Sequence, residues 1–336
     1  MTTLNDIARQ MVAPGKGILA ADESNGSAGK RLEAVGIANT PENRRAYRDL
    51  FLRTDGIERF IAGVILYDET FHQEALDGTP FVALLQDKGI LPGIKVDLGL
   101  ADFNGFPGEE VTRGLDTLAE RCADYAAAGA RFTKWRNVIH IGDNLPTPEL
   151  IHTNTITLAR YARIVQDAGM VPMLEPEVLL TGTHSLARAA DVTQRVLSEL
   201  FYQCTRYRVD LSGIILKTSM VVPGADADET MDHATVARET LRILTETVPT
   251  EVPGVVFLSG GQSARDARMN LNAINHHATE TGGAPWPLTF SFARALQGPA
   301  LEIWRGDETR VSAAREEFRR VLALNSAAST GTMQET

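Results

Sequence analysis

Cysteine is almost missing from this chain of 336 residues: only Cys122 and Cys204 occur. Two thiols cannot build a disulfide framework. Both fall in helix-like stretches and read as buried or partly buried thiols in a reducing cytosol. Lysine is also scarce. Lys16, Lys30, Lys88, Lys95, Lys134 and Lys217 are the only lysines, and arginine supplies the other 27 of the 33 basic residues. Arginine carries the ordinary positive charge here, so a remaining lysine marks a place where an amine that can lose its proton is useful. No apolar run is long enough to span a membrane. The polar opening, Met1 to Gln10, reads as the start of a helix rather than a signal peptide, so the expected location is the cytoplasm. The net charge of −10 argues against nonspecific binding to nucleic acid. The seven histidines, His72, His140, His152, His184, His233, His276 and His277, form no zinc-ligand spacing. Neither a catalytic metal nor a cofactor is expected.

What the chain does contain is a repeated pattern without a repeated sequence. Eight apolar runs alternate with helix-like stretches. The runs are Gly17 to Asp22, Phe60 to Tyr67, Leu91 to Asp97, Ala130 to Arg136, Met170 to Glu177, Leu211 to Lys217, Val252 to Leu258 and Pro287 to Phe292. Strand and helix in alternation imply a parallel sheet, and eight units over this length predict a single-domain (β/α)8 barrel. An open doubly wound sheet is the alternative, but it calls for a glycine-rich fingerprint after the first strand, and Asp22-Glu-Ser-Asn-Gly26 is not one. Asn5 to Ala13 is an extra amphipathic helix before the barrel. The stretch from Leu98 to Glu109 reads as a loop and Val111 to Ala128 as a helix. The domain is expected to end near residue 325, leaving 326–336, small and polar, as a mobile tail.

In such a barrel the chemistry sits at the C-terminal ends of the strands, and these strands end on reactive groups. They offer Asp22, then Lys95 and Asp97, Lys134 and Arg136, Glu175 and Glu177, Lys217, Ser259 and Arg294. Residues two apart share a face of a strand. Lys134 and Arg136 therefore point together, as do Glu175 and Glu177, while Trp135 points toward the helices. Structural ion pairing at the barrel mouth would explain one such pair, but six strands ending this way is hard to produce by pairing alone. Lys217 closes an apolar run, where desolvation lowers an amine pKa and favours attack on a carbonyl, and Lys134 as a second cation would add to this. A lysine snorkelling to solvent is the plainer alternative for Lys217 taken singly. Glu175 could move the protons that imine formation needs.

Ser259-Gly260-Gly261-Gln-Ser263 follows the seventh strand. It suits an anion held by backbone N–H groups at a helix start, with Arg294 as a charge-assisted partner. It equally suits a tight turn with Ser263 as helix N-cap. Ser24, Ser27, Lys30 and Arg31, after the first strand, suit a second phosphate or ordinary capping.

Taken together, the stretches GKGILAADES, PENRRAYRDLF, GIKVD, FTKWR, EPE, the Leu-Lys217 pair, FLSGGQS and LTFSFARALQ resemble the class I fructose-1,6-bisphosphate aldolases. They run from residue 15 to about 297 in family order. The resemblance implies reversible cleavage of fructose 1,6-bisphosphate to dihydroxyacetone phosphate and glyceraldehyde 3-phosphate, a sugar-phosphate substrate, no cofactor and a homotetramer. It implies Lys217 as the Schiff-base nucleophile and Glu175 as acid and base. Glu177 and Lys134 tune charge beside the imine, and Asp22 takes the C4 hydroxyl proton. Ser259, Gly260, Gly261 and Arg294 are implied at the ketone-side phosphate. Ser24, Ser27 and Lys95, with Arg31 and Arg136 nearby, are implied at the other. The chain departs from the animal members at Leu98, where they carry lysine, at Thr218-Ser219, where they have Pro-Asn, and at Ala293, where they have glycine. They also end in a tyrosine that assists proton exchange, whereas the last tyrosine here is Tyr207. A Schiff-base aldolase for another sugar such as sedoheptulose 1,7-bisphosphate, and an inactive scaffold on the same frame, are the competing readings.

Overall fold

Eight short parallel strands close into a barrel in the computed structural model, which describes residues 2–230 and 232–333. The barrel strands are β1 (Gly17–Ala21), β2 (Ile61–Leu66), β3 (Leu91–Lys95), β6 (Phe132–Ile139), β7 (Val171–Val178), β8 (Ile215–Thr218), β9 (Val255–Phe257) and β10 (Leu288–Phe292). Between β3 and β6 the chain inserts an antiparallel hairpin, β4 (Leu100–Asp102) and β5 (Glu110–Thr112). The order around the barrel is β1-β10-β9-β8-β7-β6-β3-β2. The helices are α1 (Leu4–Met11), α2 (Asn25–Ala34), α3 (Pro41–Leu52), α4 (Asp68–Phe71), α5 (Phe81–Asp87), α6 (Leu118–Ala127), α7 (Pro148–Asp167), α8 (Leu186–Arg206), α9 (His233–Thr247), α10 (Ala264–Glu280), α11 (Arg294–Trp304) and α12 (Val311–Ala328). The (β/α)8 expectation is met.

The strands are apolar on both faces because both faces are covered. Inward, Ile18, Phe132, Met173, Ile215 and Val256 fill the lower barrel, and Ile7, Ala8 and Met11 of α1 pack against them. The Phe132 ring occupies space that only glycine leaves: a Cβ on Gly93 of the neighbouring strand would lie 2.2 Å from the ring. Burying such a ring contributes roughly 1.5–3 kcal/mol. Outward, Trp135, Leu174, Leu216 and Phe290 join the larger cluster beneath the helices. With its floor filled this way, the barrel carries its cavity at the strand C-termini.

Three local expectations are corrected. Residues 98–112 are not a loop running into a helix. Leu100 pairs with Thr112 and Ala101 with Val111, and the Leu98 N–H donates to the Arg113 carbonyl at 2.9 Å. The helix starts only at Leu118. The β-branched Val111 and Thr112 satisfy their backbone in the hairpin, which Thr112 Oγ1 also ties to the Arg136 carbonyl at 2.8 Å. Second, Leu211–Gly213 is a turn of 3-10 helix, so β8 is confined to Ile215–Thr218. Asp210 accepts the Ser212 N–H there and ends extended pairing. Third, the stretch from residue 326 is not a free tail. Helix α12 continues to a fully buried Ala328, Ser326 Oγ donates to the Gly15 carbonyl at 2.6 Å, and the Met333 N–H donates to Asn272 Oδ1 at 3.1 Å. The small side chains let the helix end pack closely. Residues 334–336 lie outside the described residues. Both cysteines are buried and free, as their placement in helices implied.

Candidate active site

The strand ends converge on one cavity of about 680 Å³. Its deepest part is a chain of four charged groups. Lys134 Nζ lies 2.6 Å from Asp22 Oδ2 and 3.0 Å from Glu175 Oε2, and Lys217 Nζ lies 3.0 Å from Glu175 Oε1. All four residues are buried. The strand register produces this meeting. Lys134 sits on β6 opposite Met173 of β7, two residues before Glu175, and Lys217 follows Leu216, which pairs with Leu174. Trp135 faces away as expected, packed against Tyr161 with ring centroids 5.4 Å apart.

The electrostatics follow from these contacts. Burial alone would push the Asp22 carboxyl up, but the Lys134 and Lys217 ammonium groups outweigh it and hold the group well below the usual carboxylate range. Glu175 behaves the same way: burial opposes its charge, and Lys134, then Lys217 and Arg136, more than offset this, so its pKa is lowered. Burial disfavours the Lys134 ammonium, yet Asp22 and Glu175 raise its pKa above the ordinary lysine value. Lys134 is therefore a fixed cation between two carboxylates. Sequence reasoning placed it as a cation beside Lys217; the carboxylate of Glu175 stands between the two amines.

Around this chain lies a rim of paired cations. Arg136 Nε donates to Glu177 Oε2, Lys95 Nζ lies 2.5 Å from Asp97 Oδ1, and Arg31 Nη1 donates to Glu23 Oε1. Ser24 caps α2, accepting the Ser27 N–H at 3.3 Å, and its hydroxyl lies 3.1 Å from that of Ser27. On the opposite wall are Ser259, Gly260, Gly261 and Arg294. Gly260 and Gly261 have φ of +53° and +95°, and a Cβ on Gly260 would meet Leu258 Cδ1 at 2.7 Å, so this turn requires glycine. Ser263 caps α10 by accepting the Asp266 N–H at 3.0 Å, and Arg294 Nη2 donates to the Gly261 carbonyl at 3.3 Å. All fourteen site residues expected from the sequence line this one cavity. Six cations and five carboxylates face it, an excess of positive charge in a chain of net charge −10, which suits a polyanionic ligand.

Sequence reasoning missed two polar side chains of the wall. Ser291 on β10 is buried, its hydroxyl has no hydrogen-bond partner among the described residues, and it lines the cavity. Glu23 sits beside Asp22 and collects Arg31 and Arg48. Ser291 had a signal, an inward position on a strand that ends at the site. Nothing local marked Glu23. Of the departures from the animal pattern, Leu98 is exposed and Ser219 Oγ donates to the Val178 carbonyl at 2.8 Å. Ala293 forms part of the cavity wall.

A family model described as fructose-bisphosphate aldolase class-I matches residues 3–336. This chain belongs to the class-I fructose-bisphosphate aldolase family. It is 48% identical over 318 residues to a cytosolic fructose-bisphosphate aldolase 6 of Arabidopsis thaliana, covering 95% of this chain and 88% of the relative. It is likewise 48% identical over 329 residues to fructose-bisphosphate aldolase C of Rattus norvegicus, covering 98% and 90%. The fold matches that of fructose-bisphosphate aldolase from Plasmodium falciparum, solved with TRAP and a small-molecule inhibitor, with a TM-score of 0.97 and 45% identity over 99% of this chain and 95% of that one. Neither a different sugar bisphosphate nor an inactive frame is favoured by these relatives. An aldolase of this class works through a lysine Schiff base. The cavity of this aldolase accordingly needs a lysine nucleophile, and Lys134 and Lys217 are the two buried amines that line it.

Proposed function

We propose that Lys217 is the nucleophile in the reversible aldol cleavage of fructose 1,6-bisphosphate to dihydroxyacetone phosphate and glyceraldehyde 3-phosphate. One observation carries the assignment: Lys134 is gripped by two carboxylates, whereas Lys217 meets only Glu175 among the described residues. Lys217 can give its proton to Glu175 and attack the C2 carbonyl; Lys134 must stay an ammonium. Glu175 then returns that proton to the carbinolamine oxygen and relays a second one from the nitrogen, so the oxygen leaves as water and the protonated imine forms. Lys134 holds Glu175 and Asp22 ionised in the resting site, and Glu177, paired with Arg136, adds charge beside them. Asp22 accepts the C4 hydroxyl proton as the C3–C4 bond breaks. The electron pair of that bond moves to the protonated imine and forms the enamine.

Phosphate recognition falls to the two walls. Ser259, Gly260, Gly261 and Arg294 take the ketone-side phosphate. Ser24, Ser27 and Lys95, with Arg31 and Arg136, take the other. Ser291 adds a hydroxyl for the bound sugar, since an unpartnered buried hydroxyl is costly until a ligand meets it. The enzyme works in the cytoplasm, the compartment in the names of its plant relatives, as a homotetramer by family resemblance; light scattering would give its mass. The mechanism is tested by borohydride reduction in the presence of fructose 1,6-bisphosphate and EDTA, followed by peptide mass spectrometry. A reduced three-carbon or six-carbon adduct on Lys217 is expected. An adduct on Lys134 instead, or none with sugar bound, would overturn the assignment.

A further inference from the structure

Arg31 lines the cavity, but its aim is set from behind. Its Nη1 donates to Glu23 Oε1 and, at 2.9 Å, to Gln297 Oε1, with the Tyr47 hydroxyl at 3.4 Å. Among the described residues, Nη2 and Nε of Arg31 meet no acceptor. One edge of the guanidinium is therefore anchored while the other keeps its donors unengaged on a residue that lines the cavity, the arrangement a planar fork needs to bind a phosphate. The anchor, Glu23, is itself held by Arg48 of α3. Arg48 Nη1 donates to Glu23 Oε2 at 2.5 Å and Arg48 Nη2 to the Glu23 carbonyl at 3.1 Å. Arg48 thus fixes both the side chain and the backbone of the residue next to Asp22. Its side chain is 3% exposed, and it is not part of the cavity wall.

Charge counting gives this arrangement a purpose. One carboxylate faces two guanidinium groups, and burial beside Glu23 raises the Tyr47 phenol and keeps it neutral. The cluster carries one uncompensated positive charge. Without Arg48, Glu23 would neutralise Arg31 alone and could rotate with it. With Arg48 in place, Glu23 is shared and Arg31 keeps charge to offer an anion. We infer that Arg48 is a positioning residue that acts through Glu23 to aim the free edge of Arg31 at a substrate phosphate. This rests on the reading above that the α2 side of the cavity binds the phosphate remote from the ketone.

The test compares two substrates. Fructose 1-phosphate keeps the ketone-side phosphate and lacks the other, so the ratio of kcat/KM for the bisphosphate to that for the monophosphate isolates this subsite. Arg48→Met is expected to raise KM for fructose 1,6-bisphosphate by roughly tenfold, the worth of one weakened charge-assisted hydrogen bond. Turnover of fructose 1-phosphate should move far less, so the ratio falls. Arg48→Lys, which keeps the charge but loses the fork, should restore part of the ratio and serves if the methionine variant does not fold. A loss shared equally by both sugars, with the ratio unchanged, would reduce Arg48 to a structural role and overturn the inference. Arg31→Ala separates the two layers. If it lowers the ratio while Arg48→Met and Arg48→Lys do not, only the positioning role fails. If Arg31→Ala leaves the ratio unmoved, the phosphate assignment fails and the inference with it.

Discussion

The floor and the rim of the cavity use the same residue types to opposite ends. On the floor, Lys134, Glu175 and Lys217 are each 4% exposed, and every charge touches its partner at 3.0 Å or less. Removing one of these charges strips its neighbours of a buried counter-charge, which costs several kcal/mol. On the rim, Arg31 and Arg136 are 25% and 35% exposed, both line the cavity, and each meets its carboxylate through one nitrogen. The rim arginines are more open to solvent than the floor and their charges are more strongly screened. The difference separates two tasks. Proton transfer needs protonation states set before substrate arrives, and burial with interlocked charges sets them. Phosphate binding needs cations that keep donors unengaged while their own carboxylates hold them in place.

The sharpest way to break this comparison is at Lys217. Lys217→Met should lower kcat by at least about 10⁴, as expected for loss of a nucleophile, and abolish borohydride trapping while sugar binding persists by calorimetry. Glu175→Gln should cost about 10²–10⁴ in kcat and slow the appearance of the trapped adduct in single-turnover experiments. Because it also strips both lysines of a buried partner, its unfolding free energy should fall by about 3–5 kcal/mol, read from denaturant curves. Asp22→Asn should also lose about 10²–10⁴ in cleavage, but with the imine still trapped. Loss of trapping in that variant would show that Asp22 acts before the bond breaks. At the rim the effects shrink and change kind. Arg136→Ala should raise KM for the bisphosphate by roughly tenfold, one charge-assisted contact, with a smaller change in kcat.

The smallest expected effect sharpens the electrostatic half of the comparison. The Asp22 and Glu175 carboxyls lie below their ordinary values of 3.8 and 4.5 in the fold. The unfolded chain therefore binds their protons more tightly. The stability they contribute is full above those values and is lost as pH falls below them toward the lower folded values. Lys134 lies above its ordinary 10.5, so its contribution is full below that pH and fades as pH rises beyond it. Denaturation midpoints from pH 3 to 8 should fall on the acid side, and the slope should flatten in Asp22→Asn. An unchanged acid slope in that variant would show that Asp22 is not held low.

Much of the floor was legible in the chain because a strand has a period of two. Lys134 and Arg136, Glu175 and Glu177 had to share faces, and strand-end placement then aimed them at one mouth. The glycines after β9 were legible for a similar reason, since Gly260 and Gly261 adopt conformations that other residues resist. Glu23 was not legible. It carries no periodic signal, and its partners, Arg31 and Arg48, lie 8 and 25 residues away on two different helices. The hairpin at Leu100 to Thr112 was hidden by Gly, Pro and Asn, which mark a turn without revealing that its arms pair. The docking of Ser326 on Gly15 joins residues 311 apart, a closeness that no local pattern encodes.

Sequence alone therefore determined the alternation that makes a barrel, the inward face of each strand, and which residue types stand at its mouth. These are consequences of backbone geometry over a few residues. Tertiary structure decided which carboxylate meets which amine. It put Glu175 between two lysines, gave Lys134 two anions and Lys217 one, and left one edge of Arg31 free. Those outcomes depend on distances of a few ångströms between different strands and helices, and Coulomb energies and desolvation costs are settled at that scale.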